Sequence, residues 1–150
     1  MVSLLFEVAG QRYALDIAQV IEVVPAVRLR RIPQAPAYIA GVFRYRGTMV
    51  PVIDLSHLIG GPPASPRFST RILLVHHPGP SGVGRVLGLL AEGATDSLDD
   101  GGHVQASAGV VVPETPFLGG LITTPSGTVQ HVRVEHLLPD AVRERLFAEA

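Results

Sequence analysis

Short apolar runs separated by turn residues make up most of this chain. Leu4 to Val8 is an apolar run broken only by Glu7, and Ala9-Gly10-Gln11 follows as a turn. Arg12 to Asp16 then alternates in polarity, so the two runs predict a β-hairpin. Ile17 to Val24 predicts one helical turn and then a strand, because Val20, Val23 and Val24 are β-branched and Pro25 ends the run. Val27 to Ile32 alternates again and predicts another strand, with Val27, Leu29 and Arg31 on one face. Ile39 to Tyr45 and Thr48 to Leu55 predict a second hairpin with Arg46-Gly47 at its tip, where glycine can take a positive φ. A short helix is expected over Ser56 to Ile59.

Gly60 to Ser69 carries Gly60, Gly61, Pro62, Pro63, Ser65 and Pro66 in close succession and reads as a loop dividing the chain into two similar halves. Arg71 to His77 and Gly84 to Glu92 predict a strand pair joined by a turn over Pro78 to Gly82. Ala94 to Val112 is weakly patterned, with an exposed, flexible stretch at Asp99-Asp100-Gly101-Gly102. Phe117 to Thr123 and Thr128 to Val134 predict a last pair, and Glu135-His136-Leu137-Leu138 follows it as Ser56-His57-Leu58-Ile59 follows the earlier one. Asp140 is placed to cap a helix over Ala141 to Glu149, with Val142, Leu146 and Phe147 as its docking stripe. Nine or ten short strands in two similar halves fit a mainly-β fold of two small barrels packed together.

Composition narrows the functional classes. At 150 residues and 47% hydrophobic, the chain can build a core without staples. It has no cysteine, which removes disulfides, thiolate metal sites and cysteine nucleophiles. All twelve basic residues are arginine, and the formal net charge is −1, so bulk charge does not favour a general nucleic-acid binder. No basic region precedes the first apolar residues and no run approaches the ~20 apolar residues of a membrane helix. A cytoplasmic protein without direct membrane insertion is expected.

Catalytic constellations are missing from the sequence. The six histidines (His57, His76, His77, His103, His131, His136) show no i, i+4 pair and no adjacent carboxylate cluster. His76 and His77 neighbour each other on a strand and so face opposite ways, while His131, Arg133 and Glu135 are expected on one polar strand face. There is no G-x-S-x-G elbow, no P-loop and no dinucleotide fingerprint. Aromatic residues form 5% of the chain, too few for base-stacking platforms. Neither a metal, a cofactor nor an enzymatic activity is expected. Arg28, Arg30 and Arg31 form either a solvated face or a basic strip for an acidic partner.

The richest segment runs from Gly41 to Leu55. Pro51 inside its apolar run predicts an edge or bulged strand, Arg46 is held where its guanidinium can reach a partner, and Asp54 is placed to close the strand and cap the next helix. Val20-Ile21-Glu22-Val23, then Ile32-Pro33-Gln34-Ala35-Pro36-Ala37-Tyr38-Ile39-Ala40-Gly41-Val42, then Arg46-Gly47 and Val50-Pro51-Val52-Ile53-Asp54-Leu55 resemble the CheW-like domain of bacterial chemosensory systems. Phe6 and Tyr13 to Ile17 match that family's opening strands. Val86 to Gly93 resembles its G-x-x-V-D strand, with Glu92 where Asp is usual. Phe117 to Leu121 and Val134 to Leu138 resemble its closing elements.

The resemblance implies one domain over residues 1–150, built of two five-stranded SH3-like barrels around a shared core with short helices and a C-terminal helix. It implies a non-enzymatic adaptor that couples methyl-accepting chemotaxis receptors to a CheA-type histidine kinase at membrane receptor arrays. Receptor-side positions carried over are Val20, Glu22, Arg46 and Gly47. Arg44 and Tyr45 stand where the family has Asn-Leu, adding charge and a ring beside the implied receptor groove, and are candidate partner contacts of this chain. The readings left beside it are a two-barrel nucleic-acid module, which needs a basic face, and a small hydrolase, which needs histidines and carboxylates converging in a pocket.

Overall fold

A computed structural model describes residues 2–61, 70–78, 84–99, 116–124, 127–139 and 142. Nine strands are described: β1 (Val2–Val8), β2 (Gln11–Asp16), β3 (Val20–Pro25), β4 (Ile39–Tyr45), β5 (Thr48–Asp54), β6 (Thr70–Pro78), β7 (Gly84–Asp99), β8 (Leu118–Thr124) and β9 (Gly127–Val132). A 3-10 turn at Ile17–Gln19 precedes β3, the helix α1 (Leu55–Leu58) follows β5, and a second 3-10 turn at Val134–His136 follows β9. Of the loop expected over Gly60 to Ser69, residues 62–69 lie outside the described residues, as do residues 79–82 of the turn expected over Pro78 to Gly82, Asp100-Gly101-Gly102, and the C-terminal helix apart from Val142; Asp99, expected in a flexible stretch, ends β7.

Pairing divides the strands into two groups that share β7. The first half of β7, Gly84 to Glu92, lies antiparallel to β6, and Gly88 to Leu90 also pair in parallel with Val52 to Asp54 of β5. Beyond Glu92 the strand pairs antiparallel with β1 instead. The exchange happens at a register break, where Gly93 takes φ 58°, a conformation a side chain disfavours. Here the Thr70 hydroxyl donates to Glu92 Oε1 at 2.6 Å. Thus β3, β4, β5 and β6 gather on one side of the crossing, and β1, β2, β8 and β9 on the other.

The hydrophobic pattern explains this arrangement. β6 buries both faces: Leu73 and Val75 enter a central cluster with Phe6, Leu15, Ile53, Leu89 and Phe117, while Ile72 and Leu74 meet Val50 and Val52 in a smaller one. β1 does the same, with Leu4, Phe6 and Val8 central and Leu5 against Ala14, Ile122 and Val129. Strands covered on both sides read as continuous apolar runs. Each large side chain taken fully out of water contributes about 1.5–3 kcal/mol, so the central cluster, drawing on both groups, is what joins them. Val142 packs against it.

Three local expectations are corrected. Residues 27–32 form no strand. They make one bridge, in which Arg30 N–H donates to Val42 O at 2.9 Å and Val42 N–H to Arg30 O at 2.8 Å, with Val27 48% exposed. Prolines at 25 and 33 confine this stretch to one productive pairing. β7 continues through Ala94 to Asp99, where weak patterning gave no strand. Pro51 is neither at an edge nor in a bulge: β5 lies between β4 and β7, and the irregular step falls between Ile39 and Gly41. Val42 directs its N–H and C=O to Arg30, so its β5 partner Pro51 occupies a position without ladder bonds to β4. Pairing with β7 begins one residue later, at Val52, so the missing proline N–H removes nothing.

Candidate functional site

The β4–β5 hairpin closes through two residues, Arg46 at φ 48° and Gly47 at φ 80°. Two successive positive φ values make the tight hairpin turn whose twist suits antiparallel strands. Glycine takes this conformation freely, and a Cβ on Gly47 would meet nothing within 4 Å. Arg46 is the unusual member, since the left-handed region costs an L-residue roughly 1–2 kcal/mol.

Side-chain contacts hold Arg46 there. Its guanidinium carbon lies 5.2 Å from the centroid of the Tyr45 ring, within range for attraction by the ring face. Its Nη2 donates to Glu22 Oε1 at 3.2 Å. The Tyr45 hydroxyl donates to the same oxygen at 2.5 Å. The bond to Glu22, above all other causes, raises the Tyr45 phenol pKa above the ordinary 10.0, because ionisation would remove the donor and set two anions together. Tyr45 in turn leans on Phe43, with ring centroids 6.4 Å apart.

Glu22 reaches this cluster because of an irregularity in β3. Val20 pairs with Val75 and Glu22 with Leu74, so β3 has one extra residue, Ile21, between them. Val20 packs towards the central cluster, whereas Ile21 and Val24 join Phe43 and Tyr45 around the smaller one. The bulge therefore re-aims Glu22 towards the hairpin. Without it, Val20 and Glu22 would share a face by simple alternation.

The candidate residues are thus partly brought together. Glu22, Tyr45, Arg46 and Gly47 form one cluster. Val20 is half-buried on the other side of β3. Arg44 is exposed and pairs with Met49, on the opposite face of the hairpin from Tyr45. The Arg46 and Glu22 side chains are 76% and 41% exposed. A pair this open contributes about 0–1 kcal/mol to stability, so Arg46 can exchange it for a partner's carboxylate or carbonyl at little cost to folding. Asp54 behaves as its sequence suggests: Oδ1 accepts from His57 N–H at 3.4 Å, capping α1. The joint hold of Tyr45 and Arg46 on Glu22 is the feature sequence reasoning missed. They lie 23 and 24 positions from Glu22, and β3 pairs with β6 and not with β4, so no periodicity signals the meeting.

Chemistry elsewhere is sparse. Among the described residues no three His, Asp or Glu gather in a metal-binding group. His77 is buried and His76 exposed, opposite ways as neighbouring strand residues must be. His131 lies on β9 and Arg133 just beyond it, but Glu135 sits in the following 3-10 turn, so the three do not share a strand face. A shallow crevice lined by Val8, Tyr13, Leu55, Ile59, Phe117, Leu118 and Val132 exposes only apolar surface and offers no carboxylate or imidazole. No described helix is long and apolar enough to cross a membrane.

Comparison with known proteins gives a consistent set of relatives. Residues 3–142 match the family model for the CheW-like domain. A chemotaxis protein CheW of Rhizobium meliloti is 26% identical over 141 residues, covering 93% of this chain and 88% of that protein. A chemotaxis protein CheW of Helicobacter pylori is 33% identical over 72 residues, 48% of this chain and 44% of its own length. Among solved structures, the scaffolding protein TtCheW of Thermoanaerobacter tengcongensis superposes with a TM-score of 0.80 at 27% identity, covering 92% of this chain and 87% of that one.

Proposed function

The chain belongs to the CheW-like domain family, and from that premise we propose that it is a chemosensory adaptor coupling methyl-accepting receptors to a CheA-type histidine kinase. It turns nothing over. It presents surfaces to both partners and holds them in a geometry through which receptor state biases kinase activity. It acts in the cytoplasm, recruited to receptor arrays at the membrane. The two strand groups, each counting its share of β7, supply five strands apiece, and we read them as two SH3-like barrels of one domain spanning residues 1–150, closed by a C-terminal helix after Asp140.

The observation that carries the site is the hydrogen-bonded cluster of Glu22, Tyr45 and Arg46 on the hairpin tip. These are residues the family resemblance marks on the receptor side, or their immediate neighbours, and they form one exposed unit. In this reading Glu22 orients Arg46, Gly47 keeps the tip free of bulk, and Arg46 makes charge-assisted bonds to the receptor. Val20 lies half-buried beside the β3 bulge that aims Glu22, and Tyr45 adapts the tip to this chain's own receptor, while Arg44 stands on the opposite face of the hairpin. Apolar anchors supply most of the binding energy, as is usual at interfaces.

The test is a pull-down from native cytosolic and membrane fractions with wild type beside Arg46→Ala. Wild type is expected to recover a CheA-type kinase and a receptor, and the variant to keep the kinase and lose the receptor while melting like wild type. A folded variant that recovers both partners would refute the site, and a wild type that recovers neither would refute the adaptor reading.

A further inference from the structure

The other face of the β4–β5 hairpin carries a feature that the receptor-side reading does not use. From Ala26 to Met49 the chain holds five arginines and no Asp or Glu. Against a whole-chain charge of −1, this leaves −6 for everything else. The charge is segregated, and the fold gathers most of the positive part on one surface.

Strand geometry decides which surface. Arg30 and Val42 form a bonded antiparallel pair, so their side chains stand on the same side. Arg44 follows Val42 by two residues and shares that side. Met49, paired with Arg44, completes it at 50% exposure. Phe43, Tyr45, Val50 and Val52 point the other way, into the smaller cluster. Arg28 and Arg31 are exposed on the segment that carries Arg30, beside Val27 at 48% exposure. Among the described residues, none of Arg28, Arg30, Arg31 and Arg44 has a carboxylate partner; of the acids that flank this stretch in sequence, Glu22 is held by Tyr45 and Arg46 at the tip and Asp54 caps α1.

We infer that this face is a second docking surface, distinct from the Glu22–Arg46 cluster, and that it takes an acidic protein segment carrying an apolar side chain. Guanidinium forks match carboxylates two bonds at a time, and Met49, half-exposed opposite Arg44, gives an apolar residue somewhere to rest among the charges. An acidic peptide fits this better than nucleic acid, because the aromatic rings of the hairpin are turned to the opposite face and leave nothing for bases to stack on. The inference goes beyond the receptor–kinase reading and does not depend on it.

The probe is a fluorescein-labelled peptide of about twelve residues, Glu at most positions with Leu at every fourth, beside the same peptide with Gln for Glu, at about 50 and about 300 mM salt. Fluorescence anisotropy with the intact protein should show binding of the Glu peptide only, weakened by salt. Arg30→Glu/Arg44→Glu should weaken it by at least about tenfold through like-charge contacts, with an unchanged melting curve. Arg133→Glu, an exposed arginine beyond β9, should not. Absence of wild-type binding, equal weakening by Arg133→Glu, or tighter binding of a duplex DNA of about 20 base pairs or of phosphatidylcholine vesicles with about 30% phosphatidylserine overturns the inference. In the pull-down, the double variant should recover receptor and kinase as wild type does. Loss of the receptor by this variant would show one surface where two are proposed.

Discussion

Replacing Gly41 by alanine should destabilise the protein by about 3–5 kcal/mol, far more than the same change at Gly47. Both glycines lie at positive φ, 150° and 80°, but their surroundings differ. A Cβ on Gly41 would stand 2.6 Å from the Arg30 carbonyl oxygen and 2.9 Å from Leu29 Cβ, and one on Gly47 would meet nothing within 4 Å. The Arg30 carbonyl already accepts from Val42 N–H at 2.8 Å, so relief requires the 27–32 segment to lift off β4. That movement breaks both Arg30–Val42 bonds, at about 1 kcal/mol each. The backbone conformation adds a cost of about 1–3 kcal/mol. Gly47→Ala retains only the second kind of cost, roughly 1–2 kcal/mol. Urea unfolding of the two variants beside wild type measures the difference, with an unchanged m-value as the sign that only stability moved. The melting temperature of Gly41→Ala should fall by roughly 10 °C, at about 2–4 °C per kcal/mol for a chain of this size. Equal losses for the two variants, or a loss below about 1 kcal/mol at Gly41, would refute the close-approach argument.

Two further outcomes follow from the packing and the titratable groups. Gly88→Ala should cost about 1–3 kcal/mol by overpacking, since its Cβ would lie 2.9 Å from Ile72 Cγ2 and 3.0 Å from Val52 Cγ2; combination with Val52→Ala, which removes one of these methyls, should cost less than the two changes added together, and simple additivity in denaturant unfolding would sink the explanation. All three tyrosines have raised pKa values, Tyr13 and Tyr38 through burial and Tyr45 first through its bond to Glu22. Folding therefore favours the neutral phenols, and the stability they lend is complete below the unfolded value of 10.0 and is lost as pH rises through the raised ones. An ultraviolet absorbance titration should show no tyrosine ionising at its ordinary value, and Glu22→Ala should lower the midpoint of one of them; a titration curve identical to wild type would refute the Tyr45–Glu22 bond.

Much of the architecture was legible because its signals are local. The hairpin of β1 and β2, the helical turn before β3, and the cap of α1 by Asp54 each follow from residues within a few positions of one another. The strand expected over 27–32 failed for the opposite reason. Its alternation of Leu29 with arginines on either side is real, since Leu29 packs inward beside exposed Arg28 and Arg30. Yet a strand needs a neighbour with free backbone groups, and β4 offers Arg30 one pairing only. Pro51 misled in the same way: its missing N–H matters only where the ladder would use it, and the ladder is set by strands far away in the chain.

Period-two alternation and turn chemistry determined by themselves that this is a mainly-β protein of many short strands, and the Glu22, Arg46-Gly47 and Pro51-to-Leu55 motifs identified its family. Only the tertiary structure decided how those residues meet. A one-residue bulge at Ile21 turns Glu22 towards a hairpin more than twenty positions away, and the pleat of β4 sends Tyr45 to one face and Arg44 to the other. Local propensity acts over a few residues and can be read along the chain. The register of distant strands depends on which apolar faces find each other in the shared core, a choice made by the whole chain at once.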